Sequence, residues 1–136
     1  MDIDHYASLL AAASPAVLTT YRANGQAVAS PVWFRAVDGH AEVVIAETDI
    51  KIRHLRRHPE CSLLIFETNP PFRGIRIEGT PALSDENLTE ARLAISTRYL
   101  GEESGRRFTS ARGPAFVLRL PIYGATSWDL AAILPG

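Results

Sequence analysis

The chain has 136 residues, of which 46% are hydrophobic and 21% are charged, and its formal net charge is −1. This balance is typical of one globular domain, which we place at residues 1–136 with a core at about 16–128. No apolar run approaches the roughly 20 residues of a membrane-spanning helix, so we expect no membrane partner. The near-neutral charge argues against general cationic attraction to nucleic acid, so we expect no nucleic-acid partner.

Cysteine content and the first residues predict a cytoplasmic protein. Cys61 is the one cysteine, so neither an internal disulfide nor a cysteine-rich zinc site can form. The first five residues contain two acids and no Lys or Arg, which is unlike the positive start of a secretory signal.

Hydrophobic periodicity and turn signals predict three helices among six strands. Pro31 lies inside the second predicted strand and lacks the N–H for a ladder bond, so that strand should lie at an edge, contain a bulge or break. The order favours a mainly β fold with helices, a six-stranded antiparallel β-barrel, with an open sandwich as the alternative. In chain order we expect a helix at 4–13, strands at 16–21, 26–37 and 40–47, a helix at 50–58, strands at 60–68 and 73–83, a helix at 85–100 and a strand at 113–128.

Positive charge is concentrated at the start of the second predicted helix. The first 50 residues contain two Arg and six acids, whereas the next eight contain three Arg and one Lys with no acid. A helix N-terminus offers free N–H groups and positive potential, so this segment, which begins at Thr48 and Asp49, is interpreted as an anion site. The alternative is a solvated basic helix face, and a nucleic-acid patch is a third possibility.

A second candidate segment surrounds Pro31. Where proline interrupts a ladder, backbone groups can face a ligand, and the apolar side chains of Val32 and Trp33 suit a flat heteroaromatic ring. The alternative is an aromatic core at a bend, formed by Trp33 and Phe34.

No usual catalytic motif is present, so any chemistry would be that of a cofactor. His54 and His58 are spaced for a metal on one helix face but lack an acidic third ligand, and we expect no metal. Cys61 lies in an apolar strand, where a core role is favoured over a nucleophilic one.

These segments together resemble a known family. A strand, SPVWF, a strand, TDIKIRHLRRHP, a strand, RGIRIEGTPAL and a helix occur in this order, which resembles the flavin-binding split-barrel superfamily typified by pyridoxamine 5'-phosphate oxidase, over roughly residues 16–128. Within it, VLTTYRANGQAVASPVWF and KIRHLRRHP are most similar to the actinobacterial flavin/deazaflavin oxidoreductase branch, whose members bind coenzyme F420 rather than FMN.

The resemblance implies a homodimer of split barrels with two cofactor sites at the interface. The cofactor would be F420, with FMN as the alternative, its ring near the second strand and its phosphate at the turn after the third. The implied cofactor-binding residues are Ser30, Pro31, Val32 and Trp33 at the ring, Thr48, Asp49 and Lys51 at the phosphate, and Arg53 and Arg56 at the phosphate or the acidic tail.

The implied function is a reductase that transfers a hydride from reduced F420 to a small unsaturated organic substrate. No catalytic residue is identified, although a hydroxyl such as that of Tyr123 could deliver a proton. Oxidase-type members carry a glutamine where Gly74 stands, and the arginine and histidine substrate motif of true pyridoxamine phosphate oxidases is not recognisable. Alternatives are an FMN-binding oxidase-like protein and a non-catalytic F420 or flavin binder.

Overall fold

The computed structural model of the protein describes residues 2–135, so the ends of the expected domain, Met1 and Gly136, lie outside the described residues. The helices are α1 (Ala7–Ala11, which continues a 3-10 turn at Ile3–Tyr6), α2 (Ile50–Arg57), α3 (Leu88–Leu100) and α4 (Glu102–Ser110). The strands are β1 (Ala16–Tyr21), β2 (Ala27–Val32), β3 (Arg35–Val37), β4 (His40–Ala46), β5 (Cys61–Phe66), β6 (Gly74–Gly79), β7 (Ala82–Ser84), β8 (Ala115–Pro121) and β9 (Thr126–Trp128).

The strands form two antiparallel sheets, in the orders β2-β1-β5-β6-β9 and β3-β4-β8-β7. The mainly β class with helices is therefore confirmed. The strands form two sheets of five and four strands, whereas the sequence predicts one six-stranded barrel. The count differs because the predicted strands 26–37, 73–83 and 113–128 each break and continue in the other sheet. Pro81 lacks a ladder N–H at the second break, and Gly124 has a φ of 81° at the third.

Strand β2 lies at the edge of the five-stranded sheet, as Pro31 predicts. Its neighbour in the sheet is β1, and Pro31 stands opposite Val17 in that ladder. A proline is tolerated here because its missing N–H removes no bond from a central ladder. Beyond Val32 the chain turns through Trp33 and the fully buried Phe34 into β3 of the other sheet.

The hydrophobic core lies between the two sheets, and two helices close onto it. Helix α2 contacts β1 and β4, which belong to different sheets, and buries Ile52 and Leu55 as its amphipathic pattern predicts. The N-terminal helix buries Leu9 and Leu10 but ends at Ala11, earlier than predicted. Buried residues alternate along β1 and β5, whereas in β4 Ala41, Glu42 and Val43, and in β8 Val117 and Leu118, are buried consecutively. The buried apolar strand residues include Ala16 and Leu18 in β1, Ala41, Val43 and Ile45 in β4, Leu63 and Ile65 in β5, Ile75 and Ile77 in β6, and Val117, Leu118 and Leu120 in β8.

Helix α4 was not predicted, and it packs closely on α3. A Cβ atom on Gly105 would lie 2.7 Å from the backbone N and Cα of Thr97, so glycine permits this approach. Helix α3 in turn contacts β4 and β8, which places the helix pair beside the four-stranded sheet. Among residues 2–135 no helix is long and apolar enough to cross a membrane.

Candidate ligand-binding cleft

A cleft of about 780 Å³ opens where the end of β2, the turn between β4 and α2, helix α3 and the segment from α4 to β8 meet. Its volume lies within the range of roughly 300–1,000 Å³ that is usual for small-molecule and cofactor sites. The residues that line it are Pro31, Val32, Trp33, Val44, Ile45, Ala46, Glu47, Thr48, Asp49, Lys51, Arg92, Ile95, Ser96, Phe108, Ala111, Arg112, Gly113 and Pro114.

One wall of the cleft is formed by Trp33, which packs against the aromatic rings of Tyr99 and Phe108. The indole of Trp33 stacks on Tyr99, with ring centroids 4.9 Å apart and planes 8° from parallel, and lies 5.5 Å from the ring of Phe108. The Tyr99 hydroxyl donates to the carbonyl of Ser14 at 2.8 Å and accepts from the N–H of Phe34 at 3.2 Å. Trp33 is therefore positioned by α3, α4 and the loop before β1, and it offers a flat apolar surface.

The turn between β4 and α2 carries the lysine of the site. Asp49 is the N-cap of α2, and its carboxylate accepts from the backbone N–H of Lys51 at 2.9 Å. The same carboxylate lies 3.2 Å from Lys51 Nζ. An ammonium has three N–H donors, so Asp49 orients the Lys51 side chain and leaves it donors for a ligand.

Two arginines face the cleft from other elements. Arg92 of α3 donates to the carbonyl of Gly113 at 2.7 Å, and the guanidinium of Arg112 lies 4.2 Å from the ring centroid of Phe108. Burial, and secondarily the positive charge of Arg112, lower the pKa of Arg92. Within residues 2–135 neither arginine forms a salt bridge with a carboxylate.

Helix α3 is tied to the four-stranded sheet by a network of charges close to its first turn. Arg35 binds Glu90 through two hydrogen bonds of 2.6 and 2.7 Å and also donates to the buried Glu42 at 2.7 Å. Arg119 lies 2.7 Å from the second oxygen of Glu42. The hydrogen bonds to Glu90 and Glu42 raise the pKa of Arg35, and Arg35 lowers the pKa of Glu90. The network fixes the turn of α3 that carries Arg92.

The structure brings six of the nine predicted cofactor-binding residues together. Pro31, Val32 and Trp33 line one side of the cleft, and Thr48, Asp49 and Lys51 line another.

The other three predicted residues do not line the cleft. Ser30 is half-buried and stands opposite Leu18 in the β1–β2 ladder. Arg53 and Arg56 are exposed on α2, and the guanidinium of Arg56 lies 5.5 Å from the ring centroid of Phe116. Their contact with a cofactor remains a prediction.

Sequence reasoning missed the contribution of α3 and α4. Arg92, Phe108 and Arg112 line the cleft but are not among the predicted cofactor-binding residues, and no element is predicted between the helix at 85–100 and the strand at 113–128. A local signal for α4 existed, because Gly101 is followed by Glu102 and Glu103, and acidic residues favour the first turn of a helix.

Other residues singled out in the sequence have structural roles. His54 is buried and its Nδ1 lies 2.9 Å from the hydroxyl of Thr20, and residues 2–135 contain no group of three side chains able to hold a metal. Burial raises the pKa of Cys61 to about 12, as expected of a core thiol. Tyr123 is 82% exposed and does not line the cleft of its own chain.

The indole of Trp128 lies against Gly74, the residue that stands where oxidase-type members carry a glutamine. Gly74 stands opposite Trp128 in the β6–β9 ladder, and a Cβ atom on Gly74 would overlap the ring of Trp128. The guanidinium of Arg76 lies 5.8 Å from the same ring. A larger side chain at residue 74 therefore requires a different place for Trp128.

Comparison with known structures agrees with the architecture. The chain is similar to the conserved hypothetical protein Rv2991 from Mycobacterium tuberculosis, with 22% identity and a TM-score of 0.84 over 100% of this chain and 90% of that chain. It is also similar to an F420 reductase, with 16% identity and a TM-score of 0.70 over 89% of this chain and 95% of that chain. A third similar structure is HutZ, the heme storage protein from Vibrio cholerae, with 16% identity and a TM-score of 0.69 over 90% of this chain and 92% of that chain. At these identities the likeness shows the fold alone.

No curated protein sequence matches the chain. The family model for pyridoxamine 5'-phosphate oxidase matches residues 3–127, which is nearly the whole chain. The protein belongs to the pyridoxamine 5'-phosphate oxidase family of flavin-binding split barrels.

Proposed function

We propose that the protein is an F420-binding oxidoreductase that reduces a small unsaturated organic molecule. The observation that carries the proposal is the composition of the cleft. It combines an apolar aromatic wall at Trp33, a lysine at a capped helix start, and two arginines that have no acidic partner within residues 2–135. Coenzyme F420 has a planar deazaflavin ring, a phosphate and an acidic tail, so its chemistry matches this lining.

The residues present fit such a group in size and in charge. The cleft of about 780 Å³ accommodates a large planar ligand. Its lining contains three cations, Lys51, Arg92 and Arg112, against two acids, Glu47 and Asp49. Because Asp49 is already occupied by the cap of α2 and by Lys51, the surplus charge is available to an anion.

In this proposal the chain binds and orients while the cofactor supplies the redox chemistry. When bound, reduced F420 supplies a hydride from its deazaflavin ring. Lys51 and the first turn of α2 hold the phosphate, and the edge strand β2 offers unpaired outer backbone groups to the ring beside Pro31 and Val32. Trp33, fixed by Tyr99, keeps water from one side of the site, and this orientation supplies catalysis without a dedicated acid.

The proposal includes a homodimer, with a second chain covering each cleft. Light scattering after size exclusion should give the mass of two chains, near 30 kDa, or twice the 14.9 kDa of one. A species of one chain that binds cofactor would contradict this part of the proposal.

The first test is a tryptophan-fluorescence titration of the purified protein with F420 and, in parallel, with FMN. Trp33 lies in the cleft and should report binding, and a Trp33→Phe variant confirms the origin of the signal. Tighter binding of F420 supports the proposal. Tighter binding of FMN would assign the protein to the flavin-dependent members, and binding of neither would refute the proposal.

Lys51 provides a second and more specific test. Loss of one charge-assisted hydrogen bond costs about 1.5–3 kcal/mol, so Lys51→Ala should weaken F420 binding about ten- to a hundredfold. Arg57→Ala is the matched control, because Arg57 is exposed on the same helix outside the cleft. At an ionic strength that screens surface charges, this substitution should change the affinity for F420 by no more than about twofold. Unchanged affinity of Lys51→Ala would refute the phosphate assignment.

Lys51 is also the one lysine of the chain, which allows direct footprinting. Amine acetylation followed by mass spectrometry should modify it more slowly when F420 is bound, with the α-amino group as an internal reference. Oxidation of reduced F420 by a panel of quinones, enones and nitroaromatics then separates a reductase from a non-catalytic binder, which would bind tightly but transfer no hydride.

A further inference from the structure

The cleft contains a second positive centre, on different elements from Lys51. Arg92 projects from α3 and Arg112 lies just after α4, and both line the cleft. Burial, and secondarily the positive charge of the neighbouring Arg112, lower the pKa of Arg92, and neither arginine has a carboxylate partner within residues 2–135. In proteins, such arginine pairs are stabilised when an anion binds between them.

The contacts of both side chains leave most of their donors free for a ligand. A guanidinium has five N–H donors in a planar fork, and Arg92 uses one toward the carbonyl of Gly113. Arg112 rests on the face of Phe108, and within residues 2–135 it makes no side-chain hydrogen bond. Phe108 contacts Trp33 in turn, so a ligand packed on the aromatic wall lies beside Arg112.

We propose that Arg92 and Arg112 form a carboxylate-binding site within the cleft, separate from the phosphate site at Lys51. Planar guanidinium groups match a carboxylate through paired hydrogen bonds. This inference rests on the proposed function for its probes, because the carboxylate can belong to the acidic tail of the cofactor or to the substrate. In either case the protein selects an anionic ligand over its neutral analogue.

The test uses the folded full-length protein and the variants Arg92→Gln, Arg112→Gln and their combination. Arg107→Gln is the matched control, because Arg107 is on α4, is exposed and does not line the cleft. Circular dichroism and thermal melts establish that each variant is folded. Each probe is titrated by fluorescence at low and at high salt.

The cofactor arm compares F420 with the deazaflavin riboside that lacks phosphate and tail. If the tail supplies the carboxylate, the double variant should lose at least tenfold in affinity for F420 and little for the riboside, and F420 shortened to one glutamate should bind the wild-type protein more weakly. The ligand arm compares cinnamate with methyl cinnamate, with and without cofactor. If the substrate supplies the carboxylate, the wild-type protein should prefer cinnamate, and the double variant should lose that preference.

Either arm, with the Arg107→Gln control unchanged, supports the site. The inference is overturned if the double variant matches the wild type in both arms, or if the wild-type protein shows no preference for the anionic form of either probe. Failure of the proposed function is a different result: the wild-type protein would bind no F420, while an arginine-dependent preference for cinnamate would still be measurable without cofactor.

Discussion

The contact between Gly74 and Trp128 allows a prediction whose size follows from the structure. Gly74 is buried and does not have a positive φ, so alanine meets no backbone strain there. Its Cβ atom would nevertheless overlap the indole of Trp128. Overpacking of this kind costs about 1–3 kcal/mol, and the reduced freedom of the unfolded chain offsets up to about 1 kcal/mol. Gly74→Ala should therefore lower the free energy of unfolding by about 1–2 kcal/mol, the middle of the range of about 0–3 kcal/mol that these two effects allow.

Gly79, at the other end of the same strand, is the matched control. A Cβ atom there would lie 3.9 Å from Cδ2 of Leu120, which is an ordinary contact. Gly79→Ala should leave stability unchanged or raise it by up to about 1 kcal/mol. Thermal unfolding followed by far-ultraviolet circular dichroism resolves the two, because 1 kcal/mol shifts the Tm of a chain of this size by about 3–6 °C.

A double-mutant cycle identifies the cause of the destabilisation. Trp128→Leu removes the indole, so adding Gly74→Ala to that variant should cost little. If Gly74→Ala is as stable as Gly79→Ala, or if its cost is unchanged without the indole, the reasoning is refuted.

Two further predictions concern titration. Arg35 lowers the pKa of Glu90 below its ordinary 4.5, so the folded state binds that proton less readily than the unfolded state, and the contribution to stability is present above pH 4.5 and lost as pH falls through the lowered pKa. Glu90→Gln should therefore flatten the decline of the urea midpoint between pH 6 and pH 3, and a parallel decline would contradict the ion pair. Burial raises the pKa of Cys61 to about 12, so a thiol reagent at pH 8 should label it at least about a hundredfold more slowly in the native protein than in denaturant, and equal rates would contradict its burial.

Features set by neighbouring residues could be predicted from the sequence. Asp49 caps α2 because its carboxylate needs only the N–H two residues later. Pro31 reveals an edge strand because the missing N–H is a property of the residue itself.

Features set by packing between distant segments could not be predicted in this way. The predicted strands 26–37, 73–83 and 113–128 change sheets, because each must serve two layers around one core. Helix α4 contains Gly105, which weakens a helix by propensity. The reason for a glycine at residue 105 is its contact with α3, where Thr97 occupies the space that a side chain on residue 105 would need.

The positive charge of the cleft shows the same division between local and distant causes. The sequence has its densest basic cluster at 51–58, yet only Lys51 of that cluster lines the cleft. Helical geometry is the reason, because Ile52 and Leu55 face the core and direct Arg53 and Arg56 toward solvent.

The two arginines of the cleft instead come from the last 78 residues, where eight Arg stand against nine acids. Arg73, Arg106 and Arg119 form ion pairs with carboxylates. Arg92 and Arg112 line the cleft, where the hydrogen bond from Arg92 to the carbonyl of Gly113 joins α3 to the segment after α4. The anion site that we propose therefore depends on Arg92 and Arg112, two cations that folding brings into the cleft and that form no salt bridge within residues 2–135. A dense run of basic residues along the chain indicates instead a helix face that is exposed to solvent.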